Sequence, residues 1–272
     1  MTEHTFPTPQ PIRLYTELTA GKVVVTAGDT TETRVTVEGR DPERVQVEQH
    51  GEQISVIAPR QWGLALFNSY SVTVTLPVGS SLAIKTGSAD IVSNGTVRDV
   101  LAKSGSGEVQ IERATGAVDV TVGSGDIAID EVGGALKVKT GSGDIVVGST
   151  GGAAMLATGS GDVRLGETVG PVNVKTGSGD VRVRDALADV SMTTGSGDFE
   201  VVMAHRGRIS GKGASGDINV GIPEGVPVWT DLTTVTGKIR SKLPPTGAPA
   251  EGQDHVELRM QTVTGDITLL PA

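Results

Sequence analysis

Seven acidic residues recur at a spacing of 18 positions: Asp90, Glu108, Asp126, Asp144, Asp162, Asp180 and Asp198. Each closes a glycine-serine corner, read in order as TGSADI, SGSGEV, VGSGDI, TGSGDI, TGSGDV, TGSGDV and TGSGDF. Self-similarity at a fixed period marks a repeat architecture, in which each unit buries its apolar face only against its neighbours. The register then loosens: Asp217 follows at 19, Lys238 at 21 and Asp266 at 28 positions.

Within a unit, the residues one and three after the acid are apolar, as in Ile145 and Val147 or Val181 and Val183, with Val146 or Arg182 between them. Ten and twelve after it the pattern returns, in Val118 and Val120 or Val172 and Val174. Period-two alternation predicts two short strands per unit, each with one buried face. Gly-Ser-Gly makes one corner and a second bend follows at Gly133–Gly134, Gly151–Gly152 and Gly170–Pro171. Glycine suits such corners because it adopts positive φ without strain. Two strands per unit fit either a coil of a parallel solenoid or a hairpin of a meander. The constant length selects the solenoid, since a stacked coil that gains one residue displaces every neighbour, whereas a hairpin loop does not.

Composition agrees. The seven aromatics are Phe6, Tyr15, Trp62, Phe67, Tyr70, Phe199 and Trp229, so the stretch 71–198 has none and must fill a thin core with small branched side chains. The expectation is an all-β, single-chain β-solenoid (β-helix) with coils of about 18 residues, an N-terminal β cap and irregular C-terminal coils. Residues 1–10 are expected as a flexible N-terminus, 11–80 as the cap, 81–218 as the regular solenoid and 219–272 as the irregular C-terminal coils and cap.

The line SVTVTLPVGSSLAIKTGSADI, the tandem TGSGD[IV] units and the closing TVTGKI and MQTVTGDITLL resemble the bacterial putative-adhesin domain family of unknown function. The resemblance extends from about Leu14 to Leu270. It implies a β-solenoid, relatives in many bacteria, some of them in operons that respond to cell-envelope stress, and no established activity.

Charge and residue chemistry narrow the function. A net charge of −9 without a Lys/Arg run opposes nucleic-acid binding, which needs a basic footprint. The absence of cysteine excludes disulfides and thiolate chemistry. No apolar run reaches the ~20 residues of a transmembrane helix, and residues 1–21 lack the pattern of a secretory signal, so a cytoplasmic location is expected. Gly211-Lys-Gly-Ala-Ser-Gly216 matches a dinucleotide-binding pattern but precedes a strand rather than a helix. His4, His50, His205 and His255 are scattered without metal-ligand spacing. No catalytic site, cofactor or dedicated metal site is expected.

Two features remain. In a solenoid the seven acids form a column at strand spacing, where neighbouring charges repel by about 0.9 kcal/mol even in water. Corner glycine N–H groups are expected to offset this by hydrogen bonding, with Lys85, Lys103, Lys139 and Lys175 as further partners. A column of carboxylates also admits a calcium-binding β-roll as an alternative, although the acid stands at only one corner per coil. The second feature is the cluster Trp62, Leu66, Phe67 and Tyr70, either core covering the first coil or an interaction loop. Together these readings give a non-catalytic scaffold, a monomer or small oligomer, whose partner is another protein. A self-assembling, filament-forming structural protein is the alternative.

Overall fold

The structure is a computed structural model and describes residues 1–59, 69–244, 247 and 252–272. It is a β-solenoid. Among the described residues the only helical turn is the 3-10 segment Pro42–Arg44. The contacts divide the chain into two compact units, residues 1–134 with 138–140, and 135–137 with 141–272.

The first unit opens with β1 (Thr2–Pro7), β2 (Arg13–Gly28), β3 (Glu32–Gly39), β4 (Gln46–His50), β5 (Gln53–Ile57), β6 (Tyr70–Pro77) and β7 (Ser81–Val97). Two expectations change here. Residues 2–7 are ordered as β1, antiparallel to β3 with Thr2 opposite Val37. The segment taken as a cap contains coils of its own: β2 runs parallel to β7 through a whole coil, Leu14 beside Leu82 and Val23 beside Ile91. The next coil outward is β5 with β6, Leu14 beside Ile54 and Val23 beside Val72. Antiparallel β3 covers the outer edge of β6, and β4 that of β5. The period of 18 begins only at β7, and a strand pairing across 68 residues, Leu14 with Leu82, leaves no periodic trace.

Regular coils follow, each of two strands. In the first unit they are β8 (Val100–Ser106), β9 (Val109–Ala114), β10 (Val118–Ser124) and β11 (Ile127–Val132). In the second they are β12 (Leu136–Ser142), β13 (Ile145–Thr150), β14 (Ala154–Ser160), β15 (Val163–Thr168), β16 (Val172–Ser178), β17 (Val181–Ala186), β18 (Val190–Ser196) and β19 (Phe199–Ala204). Pairing is parallel between residues 18 apart, Val118 with Val100 and Val163 with Val181, which excludes hairpins. The residues predicted to face inward do so: Ile145, Val147, Val172 and Val174 are at most 3% exposed.

The Gly-Ser-Gly corner has two distinct requirements. Gly161 sits at φ +142°, a region other residues avoid, and a Cβ there would lie 2.2 Å from the Gly143 oxygen. Gly159 is stacked so closely that its Cβ would meet the Gly141 oxygen at 2.6 Å. Thr158, preceding them, is buried and its hydroxyl reaches the Gly143 carbonyl at 3.3 Å, so a polar side chain serves the turn it sits beside.

The second unit ends in β20 (Gly207–Ser215), β21 (Ile218–Ile222), β22 (Val228–Thr234), β23 (Ile239–Ser241), β24 (Val256–Thr264) and β25 (Ile267–Pro271). Spatial order departs from chain order. β24 lies between β20 and β22, and β25 between β21 and β23. The coil of β22 and β23 is therefore outermost, although β24 and β25 follow it in sequence.

Candidate functional site

The acidic column is a set of backbone clamps. In the first unit the Glu108 N–H donates to Oδ1 of Asp90 at 3.0 Å. In the second, Oδ1 of Asp144 accepts from Asp162 N–H at 2.9 Å, that of Asp162 from Asp180 at 3.0 Å, and that of Asp180 from Asp198 at 2.8 Å. The series continues through Asp217 and Asp266 to the Lys238 N–H, which donates to Asp266 at 2.8 Å. The donor is thus the acidic residue's own N–H one coil on. The corner glycine N–H, expected in that role, donates instead to a serine carbonyl, as Gly161 does to Ser178 at 3.0 Å.

At two positions this geometry favours the ionised carboxylate. The Asp162 N–H holds the Asp144 carboxyl below its ordinary value, helped by the Arg164 guanidinium, and the Lys238 N–H does the same at Asp266 with Arg240. Arg164 spans the column, 3.1 Å from Asp144 and 2.7 Å from Asp162. Of the lysines expected beside it, Lys85 lies over the Tyr15 ring, 5.5 Å from its centroid. Lysine ends each unit's column: Lys22 is in register with Asp90, and Lys238 follows Asp266. Among the described residues, no three His, Asp or Glu side chains converge as a metal-binding group.

Trp62, Leu66 and Phe67 of the aromatic cluster lie outside the described residues. Tyr70 opens β6 and is only 2% exposed. It is a core residue rather than part of an exposed interaction loop, because β6 is a solenoid strand with its alternate side chains turned inward.

Among the described coils, that of β22 and β23 is the least finished. Its inward positions Val228, Thr230, Leu232, Ile239 and Ser241 stand in register with Val256, Leu258, Met260, Ile267 and Leu269 of the coil beneath. The inner set is at most 1% exposed. In the outer set, Val228 and Leu232 are half-buried, Thr230 and Ser241 exposed, and Ile239 is 48% exposed. Among the described residues no strand pairs with the outer edge of β22 or β23. A cavity of about 710 Å³ opens there, lined by Ile222, Val228, Leu232, Ile239, Leu243 and Leu269 among others. On the outward face, Trp229 is 53% exposed beneath the Arg259 guanidinium, 5.7 Å from the ring centroid. Nothing in the sequence marks this site, since TVTGKI reads like any other coil until β24 and β25 are placed inside it.

The Toastrack DUF4097 sequence profile matches residues 12–270. The chain belongs to that family. Its function is unknown, in keeping with the resemblance drawn from the TGSGD units and the closing TVTGDI. Among solved structures, the Toastrack chain is similar to a putative adhesin from Parabacteroides distasonis, at 14% identity and TM-score 0.52, over 98% of this chain and 96% of that one. A putative adhesin from Bacteroides fragilis matches at 14% identity and TM-score 0.42, covering 99% and 96%. A putative lipid binding protein from Parabacteroides distasonis matches at 13% identity and TM-score 0.41, covering 99% and 96%. The first likeness supports the fold alone. No match is found among curated proteins.

Proposed function

We propose that this Toastrack chain is a non-catalytic scaffold that binds another protein through the uncovered coil of its C-terminal unit. The observation that carries this reading is the contrast in burial between two coils in register: Ile267 is fully buried, whereas Ile239 one coil further out is half-exposed beside a strand edge that no described strand pairs. N–H and C=O groups that no described strand pairs, next to a cavity that mixes apolar side chains with Glu224, Thr230 and Ser241, are what an added strand satisfies. The regular column offers no such incompleteness, because its carboxylates already accept backbone hydrogen bonds. The structural neighbour from Parabacteroides distasonis described as a putative adhesin fits a binding role.

A site-resolved crosslink tests it. A photoreactive side chain at position 239 or, as a control, at position 146, where Val146 is similarly exposed at 42%, is irradiated in cells that express the protein. A defined protein adduct at 239 and none at 146 is expected. Equal adducts, or none at 239, would refute the role of this end.

A further inference from the structure

We infer that the partner segment is an extended strand with apolar residues at alternate positions and acidic residues between them, added along the free edge of β23. This rests on the proposal that the uncovered coil is the docking end, and it names the chemistry that the end selects. Along residues 238–243 the side chains alternate. Ile239, Ser241 and Leu243 line the cavity, while Lys238, Arg240 and Lys242 occupy the intervening, outward positions.

These are three cations in five residues with no acid among them, in a chain of net charge −9. Among the described residues, the inner side of this run is the one engaged: Ile239–Ser241 pairs with β25, and the Lys242 N–H donates to the Leu269 carbonyl at 3.0 Å. Asp266 of the inner coil takes Arg240, and among the described residues no strand pairs on the outer side of this run.

A strand added to this edge would place its side chains directly opposite those of 238–243, on the same two faces. Its inward residues would fill the cavity against Leu232, Ile239 and Leu243. Its outward residues would face Lys238, Arg240 and Lys242, where carboxylates are attracted and ammonium groups repelled. A second copy of this chain fits the edge poorly, since a contact through the same end brings both sets of cations to one seam. Lysines on a free edge commonly keep strands of like molecules apart in this way.

The test uses the full chain and two short capped peptides, one alternating glutamate with valine and one alternating lysine with valine. Binding is followed by calorimetry at low and high salt. The acidic peptide is expected to bind about tenfold more tightly than the basic one, as favourable cross-strand pairs with Lys238 and Lys242 would allow, with the difference shrinking at high salt. The double variant Lys238→Glu/Lys242→Glu, checked for an unchanged β circular dichroism spectrum, is expected to reverse the preference. Equal affinity for the two peptides, binding of neither, or a preference that the double variant leaves intact would overturn the inference. So would a dimer in sedimentation that Ile239→Asp abolishes, because the occupant would then be a second copy. If position 239 crosslinks to a protein while the peptides are not discriminated, the docking end stands and the acidic strand falls.

Discussion

At the corner, Gly161 and Asp162 do separate work. Gly161 supplies a backbone at φ +142° and a surface bare enough for the coil beneath to approach. Gly161→Ala must therefore distort the stack, and a loss above about 2 kcal/mol in denaturant unfolding is expected. Gly28→Ala, with ordinary φ and nothing within 4 Å of the added carbon, should change stability by less than about 0.5 kcal/mol. Asp162 acts by accepting the Asp180 N–H, so Asp162→Ala is expected to cost about 1–2 kcal/mol and Asp162→Asn, which keeps an acceptor, less. Charge matters more at Asp144, whose folded carboxyl titrates below the unfolded one. Stability from such a group is complete above the unfolded value and is lost as pH falls through the folded one. Urea midpoints of wild type and Asp144→Asn should thus differ at neutral pH and converge below about pH 4. A gap that widens in acid would contradict the clamp.

Among elements, the same inward position carries different weight in successive coils. Met260 of β24 is fully buried, and Leu232 of β22 beside it is only half-buried. Met260→Ala is expected to destabilise by about 2–5 kcal/mol and Leu232→Ala by no more than about 1 kcal/mol, measured by chemical unfolding. In the first unit β2 has strands on both edges, β7 inside and β5 with β6 outside. In the second unit β24 is likewise held by β20 and β22. In each unit the chain travels out to the last coil and returns, so β2 and β24 have both edges paired and resist fraying. Amide exchange should therefore be slower in β24 than in β22, despite β24 lying nearer the C-terminus.

For the molecule as a whole, the carboxylate column raises the question of cations. Because the clamped oxygens already accept N–H donors, removing divalent ions with EDTA and then adding millimolar calcium is expected to leave the melting temperature unchanged. A rise would mean that the remaining carboxylate oxygens form a site. What was legible in the sequence was local: the period of 18, the strands at Ile145 and Val172, the glycine corner and the acid column all repeat at fixed spacing, and stacking copies one coil's constraints onto the next. What tertiary structure alone decided was non-local. The pairing of Leu14 with Leu82 and the insertion of β24 between β20 and β22 join residues 68 and up to 49 positions apart, with loops of no fixed length between. Such register is set by which edges and apolar faces remain unpaired once the regular coils have formed, and so the uncovered coil with its cationic edge could be seen only in three dimensions.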